Sequence, residues 1–206
     1  MVTPVTLEGR WVRLEPLARS HAAGLLAAAG SRATYGFTTV PATPAETHAY
    51  IEGALADQAA GDALPFATMD RARGAVVGAT RLFNIEFWSW PPGNANQRGR
   101  ERPDVVEIGW TWLAAEAQRT PINTEAKLLM LAHAFDHWRV HRVSLMTDAR
   151  NERSRNAILR LGARFDGVLR AARPASDGTI RDTAAFSILE AEWPAVRANL
   201  EARLRQ

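Results

Sequence analysis

Short apolar runs alternate along this chain with stretches whose apolar residues recur every three to four positions, the rhythm of a mixed α/β domain. Trp11–Glu15 alternates apolar and polar residues and predicts a strand. Ser20 is placed to cap a helix running to about Ala29. Thr43-Pro44-Ala45-Glu46 reads as a capping box with proline at the first helical position, opening a helix to about Ala60. Pro65–Met69 and Ala75–Leu82 are apolar runs split by Asp70–Gly74, which predicts a hairpin. The Pro, Gly, Asn and Arg residues from Trp88 to Arg102 predict a long loop. Beyond it come a strand at Val105–Leu113, a helix at Thr124–Trp138, a strand at Val143–Asp148, a helix at Glu152–Leu161 and a strand at Phe165–Ala171. Ser176-Asp177-Gly178 suits a hairpin turn before a last strand, Thr183–Ile188, and Trp193-Pro194 opens a terminal helix. No internal repeat and no dividing linker is visible, so residues 1–206 are expected to form a single domain, an α/β three-layer sandwich.

Composition narrows the function. With 206 residues, 47% of them hydrophobic, the chain can bury one substantial core. No apolar run is long enough to span a bilayer, and the segment MVTPVTLEGR has no apolar core for a secretory signal. The expectation is a soluble cytoplasmic protein without membrane partners. The absence of cysteine excludes disulfides, thiolate metal sites and a cysteine nucleophile. Arginine supplies all but one of the 25 basic residues, Lys127 being the exception, against 22 acids. The resulting net charge of +3 is small and interleaved, which argues against a nucleic-acid-binding face. Arg139–Arg173 is the richest stretch, and its field suits an anionic cofactor, although a solvated mixed-charge surface is the plainer reading of any single arginine there. His133 and His137 share a helix face as packed or exposed residues, and no cluster has metal-ligand spacing.

The chemistry concentrates in two segments, QRTPINTEAK (118–127) and NERSRNAILRLGA (151–163). The first is a polar loop running into a helix. The second puts Asn151 just past a strand, with Ser154 one helical turn on and Gly162 eleven residues after Asn151. In this order and spacing they resemble the acetyl-coenzyme A site of the GNAT superfamily of N-acetyltransferases, in its RimJ/RimL-like branch, and the resemblance extends from about Leu7 to Leu204. It implies a GNAT-like α/β/α sandwich around a mixed, splayed central sheet, with acetyl-CoA as cosubstrate and no metal. The family's loop pattern, Gln/Arg-x-x-Gly-x-Gly/Ala, falls on Gln118 to Asn123. Gln118 fits, whereas Pro121 and Asn123 replace the two small residues. A helix start holds pyrophosphate through unpaired backbone N–H groups, which makes Gln118, Arg119, Thr120, Ile122, Asn123 and Thr124 the candidate cradle. Pro121 has no N–H to give, and the side chains of Thr120, Asn123 and Thr124 are placed to substitute. The plainer alternative is an ordinary helix capped by Asn123 or Thr124.

The same resemblance assigns Asn151 to the pantetheine arm, whose amides need both a donor and an acceptor; a plain N-cap for Glu152–Leu161 is the other reading, and the two coexist. Backbone groups of Trp112 and Leu113 are implied as pantetheine partners along the strand. Where many relatives carry a tyrosine that protonates the leaving thiolate, this chain has Ile158. RimJ/RimL-like proteins are similar in lacking it, and the resemblance implies a serine matching Ser154 as the acid; Ser154 is either that acid or a cofactor contact only. Glu107 is the candidate base, because burial among apolar strand neighbours would lift its pKa towards useful values; a structural carboxylate paired with an arginine is the alternative. Phe87, Trp88 and Trp90 offer an aromatic wall over the acceptor amine, or equally core or dimer-interface residues. Tyr35, Phe37 and Glu46 lie where similar proteins shape the acceptor pocket. The expected activity is acetyl transfer from acetyl-CoA to a primary amine, a protein N-terminal α-amine or a small molecule, by direct attack in a ternary complex. A non-catalytic acyl-CoA-binding or regulatory module would keep Asn151 and the loop without needing Glu107 or Ser154. The oligomeric state, with a homodimer among the options, is left open by the sequence.

Overall fold

The computed structural model describes residues 3–30, 35–99 and 101–205; Met1 and Val2 of the N-terminal segment and Arg100 of the long loop lie outside it. The elements in chain order are β1 (Leu7–Glu8), β2 (Val12–Pro16), α1 (Ala22–Ala29), α2 (Pro44–Ala60), β3 (Ala63–Asp70), β4 (Ala75–Glu86) and β5 (Val105–Leu113). They continue with α3 (Pro121–Ala132), a π-helical turn (His133–Trp138), β6 (Arg142–Asp148), α4 (Glu152–Leu161), β7 (Arg164–Pro174), β8 (Ile180–Leu189) and α5 (Trp193–Leu204). Among the described residues these strands form one mixed sheet in the order β1-β2-β3-β4-β5-β6-β8-β7, with only β5 and β6 parallel. Adjacent residues of β4 show the layering. Thr80 meets Met130 and Lys127 of α3, whereas Arg81 points the opposite way, to Asp57 and Tyr50 of α2. Helices therefore cover both faces, as the α/β pattern predicts.

Local chemistry explains most boundaries. Thr43 Oγ1 accepts from Glu46 N at 3.1 Å, and Pro44 occupies the first turn of α2. The return arm goes one residue further back than the capping-box pattern implies, since Ala42 N donates to Glu46 Oε2 at 2.7 Å. Glu46 is thus engaged in a cap. Ser20 caps nothing: it lies in a 3₁₀ turn, Arg19–His21, where Ala18 N donates to His21 Nδ1, and α1 begins only at Ala22. The third helix starts at Pro121, earlier than the expected Thr124. Thr120 is its N-cap and proline sits where a missing N–H costs no helical bond. The short β1–β2 hairpin escapes the periodicity because two residues carry no pattern; it is pinned from outside, by the carboxylate of buried Glu125 on α3.

Two irregularities in β5 open the molecule. Its pairing with β6 covers only Val105–Glu107 against Arg142–Ser144, so the strands diverge beyond Glu107. On its other edge, three steps of β5 (Gly109 to Trp112) oppose two of β4 (Ala79 to Arg81), a bulge that puts Trp110 at φ 52°. The β4 backbone crowds this region: a Cβ on Gly78 would run into the carbonyl oxygen of Trp112. Because backbone opposes backbone, Gly78→Ala is expected to cost about 1–3 kcal/mol, the range of overpacking substitutions, read as a lower urea midpoint. A midpoint unchanged from the parent would show that β4 shifts freely.

Candidate active site

The divergence of β5 and β6 produces a cavity of about 1010 Å³. Its walls are the free half of β5, the C-terminal half of β6, the starts of α3 and α4, and residues of the β7–β8 hairpin. Glu107 lies at the last paired position, where the strands part, with its side chain 5% exposed. Asn84 Nδ2 donates to Glu107 Oε2 at 2.9 Å. Burial pushes the carboxyl above its ordinary 4.5, opposed by the Asn84 hydrogen bond and by the fields of Arg173 and Arg181. A partly desolvated carboxylate held by one amide, its other oxygen without a hydrogen-bond partner among the described residues, is suited to taking a proton.

Asn151 and Ser154 both line this cavity. Asn151 Oδ1 accepts from Ser154 N at 3.0 Å, so Asn151 is the N-cap of α4 and keeps its amide NH₂ for another partner. Ser154 is half-buried, and Ile158 lines the same cavity with an apolar group one turn further on. If Asn151 also holds a bound acyl carrier, Asn151→Ala should weaken acetyl-CoA binding by about 1–2 kcal/mol, the scale of an unpaired polar group. Titration calorimetry measures this, and an unaltered affinity would leave Asn151 a helix cap and nothing more.

The loop before α3 divides. Gln118, Arg119 and Asn123 line the cavity. Thr120, Pro121 and Ile122 instead line a separate cavity of about 600 Å³ beside Trp11, Asp70 and Arg71, and Thr124 lines neither. Thr120 is occupied by its cap, donating to Ala117 O at 2.7 Å and accepting from Ile122 N at 3.4 Å. Of the first-turn N–H groups without helical acceptors, Pro121 has none and Ile122 is capped, which leaves those of Thr120 and Asn123. Gln118 is a brace: its Nε2 donates to Leu113 O at 2.9 Å, and its Oε1 accepts from Arg153 at 2.6 Å. Leu113 O also accepts from the Tyr35 hydroxyl at 3.1 Å, so this carbonyl is already engaged. Trp112, by contrast, lines the cavity, and its buried indole N–H has no partner among the described residues.

On the acceptor side, Tyr35 and Phe37 reach the cavity, Tyr35 edge-on to Trp112 and Phe37 beneath the guanidinium of Arg150. Phe87, Trp88 and Trp90 do not. Buried Asp104 accepts from Trp88 N and Trp90 Nε1, each at 2.7 Å, and the two indoles pack around His141 at the far end of β5. The loop follows that buried carboxylate away from Glu107, so Trp88 and Trp90 pack on a histidine, while Phe87 stays exposed.

Two groups of the site carry little signal in the sequence. Lys127, 6% exposed, faces the cavity and donates to Thr111 Oγ1 at 2.6 Å and Thr80 Oγ1 at 3.3 Å, thereby fastening the bulge; burial without a carboxylate lowers its pKa to about 7. Its standing as the single lysine is the one feature that marks it out. Asp148, buried at the end of β6, binds Arg150, which also reaches Asp177 at 2.9 Å and ties down the β7–β8 turn. Among the described residues no group of three His, Asp or Glu side chains could hold a metal ion, and no helix is long and apolar enough to cross a membrane.

The sequence model of the acetyltransferase (GNAT) domain matches residues 12–164. A GCN5-related N-acetyltransferase from Brucella melitensis is 34% identical, with a TM-score of 0.81 over 98% of this chain and 86% of that one. A structure from T. thermophilus, assigned to the acetyltransferases, is 36% identical with a TM-score of 0.79, covering 99% of both chains. Mycobacterium smegmatis RimJ, solved with CoA-disulfide, shares the fold at 22% identity, with a TM-score of 0.79 over 98% of this chain and 96% of that one. Among proteins of curated function no sequence matches.

Proposed function

Because the chain belongs to the GNAT acetyltransferase family, we propose that it transfers an acetyl group from acetyl-CoA to a primary amine by direct attack in a ternary complex. One observation carries the reading: the parting of β5 and β6 at Glu107 brings a buried carboxylate, Asn151, Ser154 and the start of α3 onto the wall of one cavity. The residues suit coenzyme A. The free edge of β5 offers backbone partners to peptide-like amides, Trp112 has an unmatched N–H, and the α3 start with Arg119 and Arg153 suits phosphates. Gln118 serves this site by bracing β5 against Arg153 of α4, and Thr120 and Ile122 by fixing the helix start, rather than by touching the cofactor with their side chains.

Bound acetyl-CoA supplies an activated thioester. Glu107, directly or through a water, takes the proton of the attacking amine, and Asn84 orients the carboxylate. In this reading Ser154, on the cavity wall, hands a proton to the departing thiolate, a task Ile158 cannot perform. Absence of a tyrosine there, together with the RimJ fold likeness, favours the RimJ/RimL-like branch. The acceptor is then a protein N-terminal α-amine or a small-molecule amine, approaching past Tyr35 and Phe37. Thiol release from acetyl-CoA, followed across a panel of peptides and small amines, tests this. Thiol release above hydrolysis supports the transferase. Tight acetyl-CoA binding with no release for any amine would leave an acyl-CoA-binding module.

A further inference from the structure

The β7–β8 hairpin sets Arg173 directly opposite Arg181 across the strand pair, so both side chains leave the same face. Like charges in that arrangement repel, and both arginines line the main cavity at its Glu107 end, close enough for their fields to act on that carboxylate. Arg181 is also partly stripped of water. Among the described residues its guanidinium makes one hydrogen bond, from Nε to Thr183 Oγ1 at 3.0 Å. Of the other arginines lining this cavity, Arg150 is paired with Asp148 and Asp177, whereas Arg119, Arg153 and Arg160 form no ion pair among the described residues. Among the described residues neither Arg173 nor Arg181 forms an ion pair. Two guanidinium groups without an ion pair thus stand beside the base, Arg173 exposed and Arg181 partly buried within the fields of Asp148 and Glu107, apart from Arg119 and Arg153 at the α3 and α4 starts.

We propose that Arg173 and Arg181 bind an anionic group carried by the acceptor, so that the substrates are small amines bearing a carboxylate or a phosphate. The inference rests on the acetyltransferase reading and deepens it. A purely cationic amine arriving at Glu107 would meet two like charges, whereas a zwitterion offsets them. Planar guanidinium groups match the oxygens of either anion in a fork. Their positive field also lowers the pKa of the bound ammonium, which helps it shed the proton that Glu107 takes.

The test compares matched acceptors under saturating acetyl-CoA: amino acids against their amides, phosphoethanolamine against ethanolamine, and peptides with free N-termini. The anionic member of a small-molecule pair should be preferred in kcat/KM by about tenfold to a hundredfold, the scale of charge-assisted hydrogen bonds. Carboxylate and phosphate pairs tell the two anions apart. Arg173→Met and Arg181→Met should each collapse that ratio, Arg181→Lys should keep part of it, and acetyl-CoA affinity should hold in all three. Equal use of neutral and anionic acceptors, preference for peptides regardless of charge, or weakened acetyl-CoA binding in the variants would overturn the proposal. If no amine is acetylated the transferase reading fails separately. Calorimetry of phosphoethanolamine and glycine with the CoA-loaded protein then decides: binding that disappears in Arg181→Met upholds the anion site, and no binding removes it.

Discussion

Glu107→Gln is expected to lower turnover by about 10²–10⁴, the usual worth of a positioned general base. The substitution keeps the side chain's shape and an oxygen that can still accept from Asn84 Nδ2, so binding of acetyl-CoA should hardly change. The pH profile separates chemistry from structure. Burial raises the carboxyl above its ordinary 4.5, so parental turnover should fall with acidity through that raised value, and the variant should lack this limb. Stability should respond in the opposite sense. A carboxylic acid whose folded pKa is raised contributes stability that is fully present below the unfolded value and lost as pH rises through the folded one. Glu107→Gln should therefore be at least as stable as the parent at neutral pH. Near-parental turnover with acetyl-CoA binding intact would place the base elsewhere, or show that the amine arrives neutral and the enzyme works by positioning alone.

Glu125→Ala should produce the largest loss of stability. The Glu125 carboxylate accepts three backbone hydrogen bonds, from Arg10 N and Trp11 N at 2.7 Å and Val12 N at 2.8 Å, in a site where Glu125 is buried and Val12 fully so. Alanine would strand all three donors, and a desolvated unpaired donor costs about 1–3 kcal/mol. Allowing for entering water, the expected loss is about 3–5 kcal/mol in urea unfolding. Glu125→Gln, which keeps an acceptor but no charge, should fall between parent and alanine variant. A cost below about 1 kcal/mol for Glu125→Ala would mean that the β1–β2 hairpin is held by its own strand pairing with β3 instead.

The legible parts of the fold are those whose signal is local. β5 and α4 fall at Val105–Leu113 and Glu152–Leu161, as periodicity and caps indicate, because one apolar run and one capped amphipathic turn specify each. The start of α3 is ambiguous in sequence because Asn123, Thr124 and Thr120 are all good caps in isolation. Pro121 decides among them. Its favoured place at the first helical position looks like a defect only when a phosphate-loop pattern is laid over it. The tryptophans mislead for a different reason. Aromatic residues beside a strand suggest a pocket wall wherever they fall, and only the buried carboxylate of Asp104 determines which way the loop carries Trp88 and Trp90.

By itself the sequence determined the order and type of the main elements, the motif pair around Asn123 and Asn151, and Glu107 as a carboxylate on an apolar strand. These follow from spacing, which the chain carries residue by residue. Where β5 leaves β6, which face each loop residue presents, and which charges find partners depended on contacts between segments far apart in sequence. Lys127 is tied to Thr80 and Thr111, Gln118 to Arg153, and Glu125 to Arg10–Val12 across 113 to 115 residues. The unmatched Arg173–Arg181 pair becomes visible only once the hairpin register sets them side by side. A buried ionic or polar group takes whatever partner the packed chain brings within hydrogen-bonding reach, and that choice is made by tertiary structure.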